Sequence, residues 1–144
     1  MRQFNPTKLA MGAIVDGESR VTGLDFHADG TYLVAAGKSG DVHLIDALAG
    51  VERKKVYTKT NGGGLVKYTH HETCVLMTSE RARASDVRYL SLHDNQYLRY
   101  FVGHSGRVNS IAMSPVRDTF VSGSSADQTV CLWDLRTEHP THRV

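Results

Sequence analysis

Residues 103–134 read GHSGRVNSIAMSPVRDTFVSGSSADQTVCLWD. Residues 21–46 read VTGLDFHADGTYLVAAGKSGDVHLID, and the two stretches share one pattern. Val108, Ile111 and Met113 stand where Val21, Leu24 and Phe26 stand. A short polar turn follows in each, Ser114-Pro115 in the later copy and His27-Ala28-Asp29-Gly30 in the earlier one. Next comes an apolar run, Phe120-Val121 or Leu33-Val34, then small residues, Ser122-Gly123-Ser124 or Ala35-Ala36-Gly37. A final alternating stretch ends on Trp133-Asp134 or Ile45-Asp46. The offset is 87 residues from Val21 to Val108 and 88 from Asp46 to Asp134, the extra residue falling near Ala126.

That offset is twice a unit of ~40–45 residues, so a further copy is expected between the two. It is present in weaker form: Val66 and Tyr68, then Cys74 to Met77, then Val87, Tyr89, Leu90 and Leu92-His93-Asp94. On this alignment Ile45 and His93 take the place of Trp133, and Asp16 to Ser19 and Asn61 to Gly64 replace Gly103-His104. Gln96 to Phe101 alternates apolar and polar residues and runs straight into Gly103-His104. Pairs such as Leu24/Phe26 and Ile111/Met113 have a period of two, which predicts strands. Continuously apolar runs predict strands covered on both faces, and Asp29-Gly30 predicts a hairpin turn. No window carries a helical stripe. The repeat resembles WD40 units, which implies an all-β chain, a WD40 β-propeller with about three blades visible. The expected divisions are an N-terminal segment (1–20), blade 1 (21–60), blade 2 (61–102) and blade 3 (103–144). Blade 3 is expected to be incomplete, because Thr137 to Val144 shows no clear fourth strand. Lys8 to Val15 is a candidate closing strand.

Composition fits a globular protein, with 40% apolar and 22% charged residues. The net charge of +2 is too mild to argue for nucleic-acid binding. No apolar run approaches the roughly 18 residues of a membrane span. Met1 to Ala13 has two basic residues but no apolar core with a cleavage site, so no signal peptide is expected. The two cysteines, Cys74 and Cys131, sit in separate strand-like stretches, which fits a reducing compartment rather than a disulfide framework.

His104, Ser122 and Asp127 are the residue types of a hydrolase triad. However, Ser122 lies between Val121 and Gly123 in a buried strand, and no G-x-S-x-G elbow occurs. With Trp133, these residues match instead the structural hydrogen-bond network of WD40 blades. Blades 1 and 2 lack that set and are expected to rely mainly on apolar packing. Asn61-Gly62-Gly63-Gly64 before Lys67 lacks the Lys-Ser/Thr ending and the helix of a phosphate loop, and is expected to be a flexible connection. His70, His71, Glu72 and Cys74 are metal-ligand types, but strand alternation sends His70 and His71 to opposite faces and no second pair sits at zinc spacing. His139 and His142 lie in a polar tail. No catalytic residues, cofactor or metal are expected. The loops before the first strand and between the second and third strands share one face of a propeller. Here they carry Arg20 and Lys38, then Arg81 and Arg83, then Arg107. This face is expected to be positive and to dock an acidic or phosphorylated segment of a partner protein. Reading RNA directly is a rival role for that rim, but aromatics are few nearby.

A closer resemblance is carried by Lys67-Tyr68-Thr69-His70, Val87 to Asn95 (VRYLSLHDN), Arg99-Tyr100-Phe101 with Gly103-His104, Met113-Ser114-Pro115, Asp118-Thr119-Phe120, Ser122-Gly123-Ser124 and Leu132-Trp133-Asp134-Leu135-Arg136, of which Ser91 to Asn95 is not generic to such repeats. In these the chain resembles the WD-repeat subunit family shared by Set1-type (COMPASS) histone H3 lysine-4 methyltransferase complexes and by 3′-end-processing and protein phosphatase 1 complexes. The resemblance is close from Val66 to Arg136, weaker over Val21 to Val56 and loose before that. It implies a seven-bladed fold about twice this length, hence a partial propeller or fragment here, or closure by self-association. It also implies a non-enzymatic nuclear scaffold. The implied partners are the catalytic methyltransferase subunit and RNA polymerase II or 3′-end-processing factors. No membrane contact and no direct nucleic-acid contact are implied.

Overall fold

The computed structural model describes residues 19–58, 62–79 and 85–144. These residues form no helix and build three four-stranded antiparallel sheets. The first comprises β1 (Val21–Phe26), β2 (Tyr32–Gly37), β3 (Asp41–Asp46) and β4 (Val51–Tyr57). The second comprises β5 (Val66–Tyr68), β6 (Cys74–Thr78), β7 (Asp86–Ser91) and β8 (Gln96–Val102). The third comprises β9 (Ser110–Met113), β10 (Thr119–Ser124), β11 (Thr129–Asp134) and β12 (His142–Arg143). Strands follow one another in chain order within each sheet, and β1, β5 and β9 lie side by side. This is the arrangement of three consecutive blades in a partial β-propeller.

The strand register gives each blade position its counterparts. Ser122 sits between Ile111 and Cys131, as Ala35 sits between Leu24 and His43 and Met77 between Val66 and Arg88. One step on, Phe120 lies between Met113 and Trp133, and Val75 between Tyr68 and Leu90. Leu90 therefore occupies the place of Trp133 in the second blade, and the expectation that His93 does so is corrected. His93 lies in the exposed turn after β7. Leu92-His93-Asp94 imitates Leu132-Trp133-Asp134 in type, but backbone pairing puts Leu92 level with Leu135: the Leu92 N–H donates to the Thr73 carbonyl as that of Leu135 does to Asp118.

A fourth strand in blade 3 is the second correction. β12 pairs with β11 through Arg143 and His142 opposite Cys131 and Leu132. Mutual Val130–Val144 backbone hydrogen bonds of 2.8 and 2.9 Å extend it. Its residues are exposed and polar, so backbone pairing alone defines it and no alternation announces it. Lys8 to Val15 lies outside the described residues.

The cores lie between the blades. Val34, Ala36, Val42 and Leu44 of the first sheet meet Val66, Tyr68, Val75, Met77 and Leu90 of the second. Leu76, Val87 and Phe101 of the second meet Ile111, Phe120, Cys131 and Trp133 of the third. Polar clasps close the first seam. Asp25 on β1 accepts Lys67 Nζ at 2.6 Å and the Tyr68 N–H at 2.8 Å. Thr22 Oγ1 lies 2.9 and 3.0 Å from the Gly63 and Gly64 carbonyl oxygens. The glycine stretch is thus a packed seam rather than the expected loose connection, with Gly63 and Gly64 buried and their N–H groups bonded to Gly37 and Thr78. A Cβ on Gly63 would stand 2.3 Å from the Gly37 carbonyl oxygen. Gly63→Ala is therefore expected to lower stability by about 1–3 kcal/mol. The urea midpoint measures this, and an unchanged midpoint would contradict so tight a seam.

Candidate functional site: a basic cavity and the buried networks beneath it

The third blade brings its four singled-out residues into one hydrogen-bonded chain. The Trp133 indole N–H donates to Ser122 Oγ at 2.8 Å. Ser122 Oγ lies 2.8 Å from His104 Nε2, and His104 Nδ1 lies 3.0 Å from Asp127 Oδ2. A carboxylate only accepts, so Nδ1 carries the proton toward Asp127 and Nε2 accepts from the Ser122 hydroxyl. The same Asp127 oxygen accepts the Ser105 N–H at 2.8 Å, and its mate accepts the Thr129 hydroxyl at 2.7 Å. Burial disfavours ionisation of Asp127, but the donors from Thr129, Ser105 and His104 outweigh it and hold the carboxyl well below its usual range. Ser122 is 1% exposed and its oxygen is engaged on both sides, so no hydrolase-like approach to Oγ is open. Trp133 stacks on Phe120 with centroids 5.9 Å apart and meets Phe101 edge-on at 5.6 Å.

Blades 1 and 2 are not held by apolar packing alone. At the register position of Cys131 they carry His43 and Arg88, and two residues earlier, where blade 3 has Thr129, they carry Asp41 and Asp86. Side chains two apart on a strand share a face, so each acid meets its cation. Arg88 Nε donates to Asp86 Oδ2 at 2.6 Å, with the guanidinium carbon 5.7 and 6.0 Å from the Tyr97 and Tyr100 ring centroids. In blade 1, His43 Nε2 lies 3.0 Å from Asp41 Oδ2, and its Nδ1 contacts Glu52 on β4. Asp41 Oδ1 also accepts the Ser19 hydroxyl at 2.7 Å and the Ser39 hydroxyl. Burial works against the Asp41 carboxylate, yet Ser39, Ser19 and His43 together keep it well below the usual range. Burial likewise works against a charged His43, and Glu52 and Asp41 overcome it and raise its pKa. The sequence carried one signal for these pairs, an acid two residues before a cation in an apolar strand, D-V-H and D-V-R.

Three of the five cations of the expected rim converge. Arg20, Lys38 and Arg107, with Val21 and Thr22, line a cavity of about 260 Å³. All three are exposed, and the Lys38 N–H donates to the Arg20 carbonyl at 2.8 Å. Arg81 and Arg83 lie outside the described residues, as do Asn61 and Asp16. Elsewhere, His70 Nε2 lies 3.1 Å from the Arg117 carbonyl oxygen, and His71 Nδ1 lies 3.3 Å from the Thr73 backbone nitrogen. Cys74 is buried as a free thiol. Among the described residues, no three His, Cys, Asp or Glu side chains are placed to hold a metal ion.

Ser122→Ala is expected to cost about 1–3 kcal/mol, because it strands a buried indole N–H and the ring nitrogen of His104. A thermal or urea midpoint like that of the parent protein would contradict this. The pH dependence has two signs. His43, with its pKa raised above 6.5 in the fold, adds stability that is complete below that value and lost as pH rises through the raised one. Asp41 and Asp127 act oppositely: their stabilisation is present above the ordinary carboxylate value of 3.8 and is lost as pH falls below it. The melting-temperature gap between the parent and His43→Gln should then narrow as pH rises past neutrality, and a gap that stays constant would count against the bridge.

Comparison with known proteins places this geometry. The WD domain, G-beta repeat family matches residues 12–46 and 95–134, the latter containing all of the Trp133 network. WD repeat-containing protein 82 of Drosophila melanogaster is 38% identical over 122 residues, covering 85% of this chain and 38% of that protein. The COMPASS component SWD2 of Saccharomyces cerevisiae is 37% identical over 121 residues, covering 83% of this chain and 36% of that protein. The Set1 complex component swd2 of Schizosaccharomyces pombe is 37% identical over 117 residues, covering 81% and 32%. The chain thus spans 32–38% of the length of these relatives. With three blades, a satisfied Trp-Ser-His-Asp chain and a repeat match over more than half its residues, the chain belongs to the WD40 family.

Proposed function

We propose that this chain is part of a non-catalytic WD40 scaffold that joins proteins within a nuclear Set1/COMPASS-type histone H3 lysine-4 methyltransferase complex. Two relatives at 37% identity carry COMPASS component and Set1 complex component as their names, which supports that setting. The observation that carries the docking role is the convergence of Arg20, Lys38 and Arg107 on one cavity from two blades. Three cations around a small polar hollow favour an anionic ligand. The nearby carboxylates, Asp41 at the start of β3 and Asp127 in the β10–β11 turn, are engaged by serine, threonine and histidine donors. An acidic segment of a partner protein is the occupant that suits such a hollow. The partners are the catalytic methyltransferase subunit and, through the complex, transcribing RNA polymerase II.

Affinity purification of the full-length gene product, with mass spectrometry of what accompanies it, tests the setting. Methyltransferase subunits are expected, and cleavage and polyadenylation factors in their place would move the protein to 3′-end processing. The triple variant Arg20→Glu/Lys38→Glu/Arg107→Glu should lose partner capture while its circular dichroism is retained. Undiminished capture would rule the basic cavity out as the docking site.

A further inference from the structure

The basic cavity and the buried network of blade 1 are one device. Arg20 follows Ser19 directly, and Lys38 precedes Ser39 directly. The hydroxyls of those two serines both end on Asp41 Oδ1. The Ser39 N–H also donates to Ser19 Oγ at 3.2 Å, and the Lys38 N–H to the Arg20 carbonyl at 2.8 Å. The segment leading into β1 and the β2–β3 turn are thereby fastened to each other and to one carboxylate that is 1% exposed. The space under them is full: a Cβ on Gly37 would lie 2.3 Å from Asp41 Oδ1 and 2.4 Å from Ser19 Oγ.

Resting on the docking role assigned above, we propose that Asp41 is a positioning residue for the basic cavity. Clamped by Ser19 and Ser39 and balanced by His43, it holds Arg20 and Lys38 in place for an anionic partner segment, so that capture depends on the protonation of His43. With both ring nitrogens facing carboxylates, His43 satisfies both only as an imidazolium. On losing a proton it keeps one N–H for two anions. The positive charge that balanced Asp41 is then gone even though one N–H still faces it, so the carboxylate that anchors the Ser19–Arg20 and Lys38–Ser39 segments disfavours an anionic ligand nearby. The groups facing His43 among the described residues are few. They are Asp41 on its own strand, Glu52 on β4, and Lys55, its cross-strand partner on β4, whose ammonium lies 5.1 Å from the centroid of the Tyr57 ring. On β2 its partner is Ala35, which is uncharged. Glu52 is about a third exposed, so it is the end of the bridge that lets go.

The test measures binding of a fluorescein-labelled octaglutamate peptide to the chain by anisotropy at low salt, from about pH 6 to about pH 8.5. The peptide stays ionised throughout that range. The parent protein should lose about fivefold or more in affinity as pH rises. His43→Gln should flatten the profile, and Glu52→Gln should move its midpoint to lower pH. The same slope and midpoint in all three proteins overturns the inference, as does a flat profile in the parent. Should His43→Gln fail to fold by circular dichroism, Glu52→Gln alone decides, since Glu52 lies at the margin of the network. Absence of peptide binding by the parent at every pH, or equal binding by Arg20→Glu/Lys38→Glu, would sink the docking role itself and so is a distinct result.

Discussion

Each sheet of this protein carries an apolar face that it cannot bury on itself. Four short strands make a layer one residue thick, and a layer shields nothing until another lies against it. The chain meets that constraint by stacking blade on blade, so both cores belong to seams rather than to sheets. Everything else follows from having to fix the spacing and register of those seams. Asp25 reaches across to Lys67 and the Tyr68 backbone, Thr22 reaches to Gly63 and Gly64, and Trp133 is wedged against Phe101 of the preceding blade.

Burying polar groups within such seams is costly unless every partner is present. The three blades solve this in two ways. Blade 3 places its carboxylate in the turn and runs the chain through histidine and serine to an indole. Blade 1 moves the carboxylate onto β3 and pairs it with His43, and blade 2 does the same with Asp86 and Arg88. In blades 1 and 3 the carboxylate is also tied to the stretch of chain that precedes the innermost strand, through Ser19 and through Ser105. Those stretches carry Arg20 and Arg107. The buried anions and the exposed cations thus sit on the same stretches of chain, with the anions engaged by internal donors.

Sequence alone determined a good deal. The offset of 87 to 88 residues and the period-two alternation specified an all-β repeat, because strand spacing and side-chain alternation are local properties of the backbone. His104, Ser122, Asp127 and Trp133 were recognisable because one blade carries all four at regular spacing. Arg20, Lys38 and Arg107 could be grouped because loop order in a propeller follows from strand order.

Only the tertiary structure decided which residues stand in for that set in the other blades. Leu90 rather than His93 is level with Trp133, and β12 exists although its residues show no alternation, because backbone pairing sets register without regard to residue type. The union of Ser19, Asp41, His43 and Glu52 was equally hidden. Its members come from the segment leading into β1, from β3 and from β4, and only the twist and bulge of the sheet bring their polar atoms to hydrogen-bonding distance. Alternation along a strand says which face a side chain takes. It does not say what waits for it there, because that depends on chain brought in from far along the sequence.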